Sequence, residues 1–307
     1  MNTEKNKLVL GTVQLGMNYG LNNTHGQPTK EESLLILDEA LAAGIDTFDT
    51  AYAYGNAEEV LGAWIQERSL AGKVRVISKM KPHALNDYPD GTKAADVVQT
   101  EIEKSLKRLH VDFLDGYLFH SPHYIYLRHM VEGLQKAKSG GMAKNIGVST
   151  YDEGEALQAA ELGVDYIQVP YNAFDQRLDA TGFFGVAKKN NVTVFARSPF
   201  LQGLLLMQPD QLPERLAHVR PYLEQFIEII KQYRLSPAEA SLLFVKARCP
   251  ADHVVFGVET LPQLKEDISI MRDSVAVTGG WMDELERCFR GMNRGVINPS
   301  LWSKIQR

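Results

Sequence analysis

Residues 145–197 read NIGVSTYDEGEALQAAELGVDYIQVPYNAFDQRLDATGFFGVAKKNNVTVFAR. Three short apolar runs stand out in this stretch: Asn145–Ser149, Tyr166–Pro170 and Thr193–Arg197. Each is too apolar for a strand with one wet face, so each reads as a strand buried on both faces, the mark of a parallel sheet. Between them, Leu157–Gly163 and Val186–Asn191 read as the ends of helices feeding the next strand. The unit recurs outward in both directions. Lys7–Gly11, Ile45–Asp49, Val74–Lys79, Phe113–His120 and Val254–Gly257 complete a set of eight.

The intervening segments carry helix signals. Thr29 stands three residues before Glu32 and opens Lys30–Ala43 with a capping box, and Gly44 closes it. Lys93–Leu109 places Val97, Val98, Ile102, Leu106 and Leu109 on one face. Ser236-Pro237 opens another helix. Eight strands alternating with helices predict an α/β fold, a single (β/α)8 TIM barrel over residues 1–307. An open doubly wound sheet would need a G-x-G-x-x-G turn; Gly11 and Gly16 do not form one, and no P-loop is present. Leu201–Pro221, with three prolines, reads as an elaborated loop on the catalytic face. A C-terminal tail after Val275 carries a helical stretch, Met282–Arg290, and an irregular end around Trp302.

Composition narrows the function classes. A net charge of −5 gives no basic field for nucleic acid or an anionic membrane. No run approaches the roughly 20 apolar residues of a membrane span, and the polar opening residues do not resemble a signal segment. The two cysteines, Cys249 and Cys288, suit reduced thiols in a cytoplasmic protein. Oligomeric state is not legible.

Chemistry in such barrels gathers at the C-terminal strand ends. Here those ends are Gly11, Asp49, Lys79, His120, Ser149, Gln168, Arg197 and Gly257. Polar groups at the ends of apolar strands need partners. Asp49 and Lys79 end adjacent strands and so can pair. The Lys79 charge is expected to lower the pKa of Tyr54, five residues past Asp49, and make it a proton donor. His120, as a neutral imidazole, would orient a carbonyl oxygen. A phenol, an ammonium and an imidazole around one oxygen suit carbonyl reduction. The hydride must come from a nicotinamide cofactor, because no side chain supplies one. His120-Ser-Pro-His123 is an H-x-x-H pair without a third ligand, so no metal is expected. His123 is expected to line the entrance.

The sequence resembles the aldo-keto reductases over nearly its whole length. Asp-Thr-Ala-x-x-Tyr-Gly at 49–55 resembles the family's Asp/Tyr signature. Ser78-Lys79, Leu118-Phe119-His120, Ile146-Gly-Val-Ser149, Gln168-Val-Pro-Tyr-Asn172 and Ser198-Pro199 with Gly203 follow in order. The resemblance implies a catalytic tetrad of Asp49, Tyr54, Lys79 and His120; Tyr52 lacks the following glycine. It also implies a bound NAD(P)H. Gly11 and Thr12 would approach it at the first strand, beside Asp49. Ser149 and Gln168 would hold the carboxamide, and Arg197 would stack on the nicotinamide where relatives place Tyr. Ser198, Leu201 and Gly203 would face the pyrophosphate. Gly257, Glu259, Gln263, Glu266 and Asp267 would face the adenosine. Thr150 stands where relatives often carry Asn. Glu259 and the absence of a basic residue at the ribose positions lean toward NAD(H), with Lys265 and Arg272 near enough in sequence to reverse this.

Substrate contacts are expected from Tyr19, Tyr54, His120 and His123, with Asn18, Tyr124 and Trp302 as further loop candidates. The polar loops suit a small carbonyl compound such as a sugar or sugar derivative. Two other classes stay open: a nucleotide-binding regulatory or interaction subunit of the same fold without turnover, and a metal-dependent barrel isomerase or hydrolase. The second would need carboxylates and histidines clustered at several strand ends, and these are missing.

Overall fold

The computed structural model describes residues 7–88, 93–272 and 280–302. The opening residues before Lys7 and the tail's start at Val275 lie outside the described residues. In chain order the elements are β1 (Lys7–Gly11), α1 (Val13–Gly16), α2 (Lys30–Ala42), β2 (Thr47–Asp49), α3 (Ala57–Glu67), β3 (Arg75–Met80), α4 (Ala94–Leu109), β4 (Leu114–Phe119) and α5 (Arg128–Ser139). There follow β5 (Ala143–Ser149), α6 (Glu153–Glu161), β6 (Tyr166–Pro170), α7 (Phe183–Lys189), β7 (Thr193–Arg197), α8 (Arg220–Gln232), α9 (Pro237–Arg248), β8 (His253–Gly257), α10 (Leu261–Arg272), α11 (Trp281–Phe289) and α12 (Arg294–Ile297). The eight strands close in sequence order, and all are parallel. β1 and β8 seal the barrel from Lys7↔His253 to Gly11↔Gly257.

Side-chain period two turns this register into layers. Val9, Ile77, Leu118, Phe195 and Val255 pack together inside the barrel, with Tyr166 against them. They form an apolar floor. Gly147 leaves room for β6: a Cβ there would lie 1.9 Å from the Tyr166 carbonyl oxygen. Two residues further along each strand comes the next inward layer: Gly11, Lys79, His120, Ser149, Gln168, Arg197 and Gly257, with Asp49 from β2. The strand ends named from sequence are therefore one storey of one barrel. The main core lies outside the barrel wall, where Leu10, Phe48 and Val76 meet Leu37, Trp64 and Ile102 of the helices.

Several boundaries differ from expectation. Thr29 and Glu32 do form a capping box. At the other end of α2, Gly44 adopts φ +83°. The amide of Ile45 then donates to the Ala40 carbonyl at 2.9 Å, a Schellman closure. Ile45 is thus used by the cap, and β2 starts at Thr47. β4 ends at Phe119, which leaves His120 one residue beyond the ladder. Leu201–Pro221 is not a plain loop. It contains 3-10 turns at Leu204–Leu206, Pro209–Gln211 and Glu214–Val219, and Arg220 and Pro221 already belong to α8. Pro221 sits in the first helical turn, where a missing N–H breaks no bond.

Candidate functional site

A cleft of about 770 Å³ opens above the inward layer. Asp49, Tyr54, His120, Ser149 and Arg197 line its deep part. Lys79 lies fully buried just behind this wall. Its ammonium has three protons and three acceptors: Asp49 Oδ2 at 2.7 Å, the Thr50 carbonyl at 3.0 Å and Tyr54 Oη at 3.2 Å. Tyr54 Oη therefore receives a hydrogen bond from Lys79 and keeps its own proton for another acceptor. The other Asp49 oxygen, Oδ1, accepts from Gln168 Nε2. His120 stands edge-on to Tyr54, ring centroids 5.7 Å apart.

The turn that carries Tyr54 depends on two glycines. Gly55 has φ +59°, and a Cβ on it would lie 2.1 Å from the Gly16 carbonyl oxygen. A Cβ on Gly16 would in turn lie 1.9 Å from the Tyr54 carbonyl oxygen. This gives a physical reason for the glycine that follows Tyr54. Tyr52 points away, its ring beneath the Lys81 ammonium and the Arg108 guanidinium.

One electrostatic expectation is reversed. Burial and the Asp49 carboxylate raise the Tyr54 pKa, so the phenol is not made acidic by Lys79. The reason is that the Lys79 charge is cancelled locally by Asp49, and burial lowers the lysine's own pKa. His120 is held neutral, its pKa lowered to about 3 by burial first, then by Lys79 and Arg197.

The remaining candidates divide by place. Gly11, Tyr19, Ser198, Leu201, Gly203, Gly257, Glu259, Gln263, Glu266 and Asp267 line the cleft. Thr12 and Gln168 are buried behind it; Thr12 Oγ1 donates to the Asp49 carbonyl at 3.1 Å. Ser149 Oγ accepts from Arg197 Nε at 3.2 Å. His123 does not line the entrance. It is exposed and stacks on His83, centroids 5.6 Å apart. Tyr124 and Trp302 are buried in packing, and Asn18 is exposed outside the cleft. Sequence reasoning missed Gln14, Asn22, Tyr151 and Asn298, all cleft-lining. Only Tyr151 carried a signal, two residues past the β5 end.

The cleft walls suit a dinucleotide. Beyond β7, Ser198, Leu201, Gln202 and Gly203 all have positive φ, between 48° and 85°. Left-handed residues of this kind form concavities of backbone N–H that attract anions, and they persist where function holds them. The β1 loop closes over them, with the Leu21 amide on the Gln202 carbonyl at 2.8 Å. Among the buried polar atoms of the described residues that lack a partner, three stand at or just behind the cleft wall: His120 Nδ1, Gln168 Oε1 and Gln14 Oε1.

At the far end, Glu259, Glu266 and Asp267 share one wall. Lys265 and Arg272 face away, toward Glu39 at 3.5 Å and the Ala43 carbonyl at 2.5 Å. Burial, then Glu266 and Glu259, push the Asp267 pKa to about 8. A carboxyl raised this way keeps its proton when folded and loses it when unfolded, so stability falls as pH rises from about 4 to 8. Asp267→Asn should therefore stabilise the chain, and the gain should grow by roughly 2–4 kcal/mol between pH 5 and pH 8.5. Urea unfolding at both pH values measures this, and an equal gain at both would contradict it.

The sequence profile of the Aldo/keto reductase family matches residues 7–276. The chain belongs to the aldo/keto reductase family. It is 27% identical over 279 residues to the Bacillus subtilis uncharacterized oxidoreductase YqkF, covering 85% of this chain and 90% of that one. It is 24% identical to the NADH-specific methylglyoxal reductase of Escherichia coli, covering 86% of this chain and 89% of that one. A crystal structure from Pseudomonas aeruginosa shares the fold, with TM-score 0.65 and 21% identity over 90% of this chain and 93% of that one. Membership makes this chain an oxidoreductase of a family whose members use NAD(P)H on small carbonyl compounds. Among its described residues no helix is long and apolar enough to cross a membrane.

Proposed function

We propose that this aldo/keto reductase converts an aldehyde or ketone to an alcohol, with Tyr54 as the proton donor and NAD(H) as the preferred cofactor. One observation carries the reading: Lys79 spends all three protons on Asp49, Thr50 and Tyr54. The Tyr54 proton is thereby left to point into the cleft beside a neutral His120. The cofactor supplies the hydride when bound. Ser149 and the unpartnered Gln168 Oε1 suit its carboxamide, the left-handed segment around Ser198–Gly203 suits its pyrophosphate, and Glu259, Gln263 and Asp267 suit its adenosine.

Tyr54 and His120 orient the carbonyl oxygen, and Tyr54 gives it a proton. His120 donates a hydrogen bond without carrying charge, which leaves Tyr54 as the proton source. The rim residues Tyr19, Asn298 and Ser300 offer hydroxyl and amide groups that suit a small polar carbonyl compound such as a sugar derivative. The activity named for the E. coli relative supports a small carbonyl and NADH. Free thiols at Cys249 and Cys288 favour a cytoplasmic setting.

The test is oxidation of NADH and NADPH at 340 nm with methylglyoxal and short aldoses, and fluorescence titration of each nucleotide. Carboxylates at the ribose wall should favour NADH by about tenfold or more in Kd, since one misplaced charge is worth about 1.4 kcal/mol or more. Tighter NADPH binding would refute the cofactor preference. Absence of turnover with every carbonyl offered, despite nucleotide binding, would favour the regulatory reading.

A further inference from the structure

Tyr54 becomes a phenolate when it gives up its proton, and the charges around it decide how readily. Six groups face it. Asp49 comes from β2, Lys79 from β3, His120 from the end of β4, and Arg197 from β7; Tyr19 and Tyr151 come from the loops after β1 and β5. Asp49 and Lys79 cancel at 2.7 Å. His120 is neutral, and burial keeps the Tyr19 phenol protonated. The cation left over is Arg197.

Arg197 is built differently from the other arginine on the cleft. Arg177 is clamped by Asp175 at 2.8 Å and Glu153 at 3.2 Å. The three hydrogen bonds of Arg197 all end on uncharged oxygens: Ser149 Oγ at 3.2 Å, Ser198 Oγ at 3.3 Å and the Thr150 carbonyl at 2.8 Å. Its guanidinium carbon also lies over the Tyr151 ring, 4.8 Å from the centroid. It is therefore a rigidly held cation that no carboxylate neutralises among the described residues, and it opens on the same cleft as Tyr54 and His120. A fixed charge acts most strongly where water is scarce, and Arg197 shares the deep part of the cleft with Tyr54.

We propose that Arg197 is a positioning residue that stabilises the Tyr54 phenolate alongside Lys79. This rests on Tyr54 as proton donor. In the step, the carbonyl carbon takes the hydride and the carbonyl oxygen takes the Tyr54 proton. The Tyr54 oxygen keeps the electron pair of its broken O–H bond, and Arg197 faces the charge so formed. The direction of its influence agrees: Arg197 acts to lower the Tyr54 pKa against burial and Asp49.

The test replaces Tyr54 with a fluorinated tyrosine, whose phenol ionises in an accessible pH range, and titrates it by absorbance in the cofactor-free chain. Arg197→Met should raise that pKa by about one unit or more, a tenfold smaller phenolate-to-phenol ratio at a given pH. Arg197→Lys should restore most of the difference. With natural Tyr54, Arg197→Met should lower kcat about tenfold or more with a larger solvent deuterium isotope effect, and Arg197→Lys should recover much of it. Arg197→Gln replaces the Met variant if that one does not fold. A phenol pKa unmoved by loss of the charge overturns the proposal. Because this titration needs no turnover, it judges Arg197 even if Tyr54 proves not to be the donor.

Discussion

Tyr54→Phe should lower kcat by about a thousandfold, within the 10²–10⁴ range that a general acid contributes, while NADH should still bind with nearly unchanged Kd. The change removes one oxygen and little else. Lys79 keeps Asp49 and Thr50 as acceptors. The ring keeps its edge-on contact with His120, and Gly16 and Gly55 still shape the turn. Stability should shift by only about 1 kcal/mol, the usual worth of one hydrogen bond. Steady-state rates at 340 nm and nucleotide fluorescence titration measure the two effects separately. A variant that keeps a tenth or more of kcat would remove Tyr54 from the donor role. His120 sharpens the same experiment. With a pKa near 3 it stays neutral from pH 5 to 8, so the wild-type rate should show no limb near pH 6.5 of the kind an ordinary histidine gives.

Lys79→Met should damage both turnover and the fold. It strips the counter-charge from an Asp49 that is nearly inaccessible to solvent and leaves only Gln168 bonded to that side chain. Breaking a buried pair on one side typically costs about 3–5 kcal/mol. Turnover should fall by about a hundredfold or more, because Tyr54 also loses the bond that directs its proton into the cleft. The double variant Asp49→Asn/Lys79→Met separates the two losses. It should regain much of the stability, since no lone charge remains, and none of the turnover. Denaturant midpoints and kcat for the three variants test this, and a wild-type midpoint in Lys79→Met would show that the pair does not hold the fold.

The barrel was legible because strands buried on both faces leave apolar runs that no other arrangement explains, as at Tyr166–Pro170 and Thr193–Arg197, whose bounds agree to the residue. The inward storey was legible for the same reason: a period of two carries Ile77 to Lys79 and Leu118 to His120. Charge balance was not. Whether Lys79 tunes Tyr54 depends on how fully Asp49 neutralises it and how deeply both are buried, and neither can be read along a chain. Loops were the other blind spot. His123 stacks on His83, forty residues away in sequence, and Pro221 looked like a loop residue until its place in the first turn of α8 was known. Gln14 and Asn298 reach the cleft from a single helical turn and from the tail, where local pattern carries no information about destination.

The closure of β1 on β8 has one more consequence. An open sheet can fray from an edge and give up its outermost strand while the rest survives. A ring has no outermost strand, and releasing any one breaks the ladders on both of its sides. Asp49, Lys79, Ser149, Gln168 and Arg197 each stand on a different strand of that ring. The strand-borne part of the site is therefore bound to the integrity of the whole hoop, and its loss should coincide with global unfolding rather than precede it.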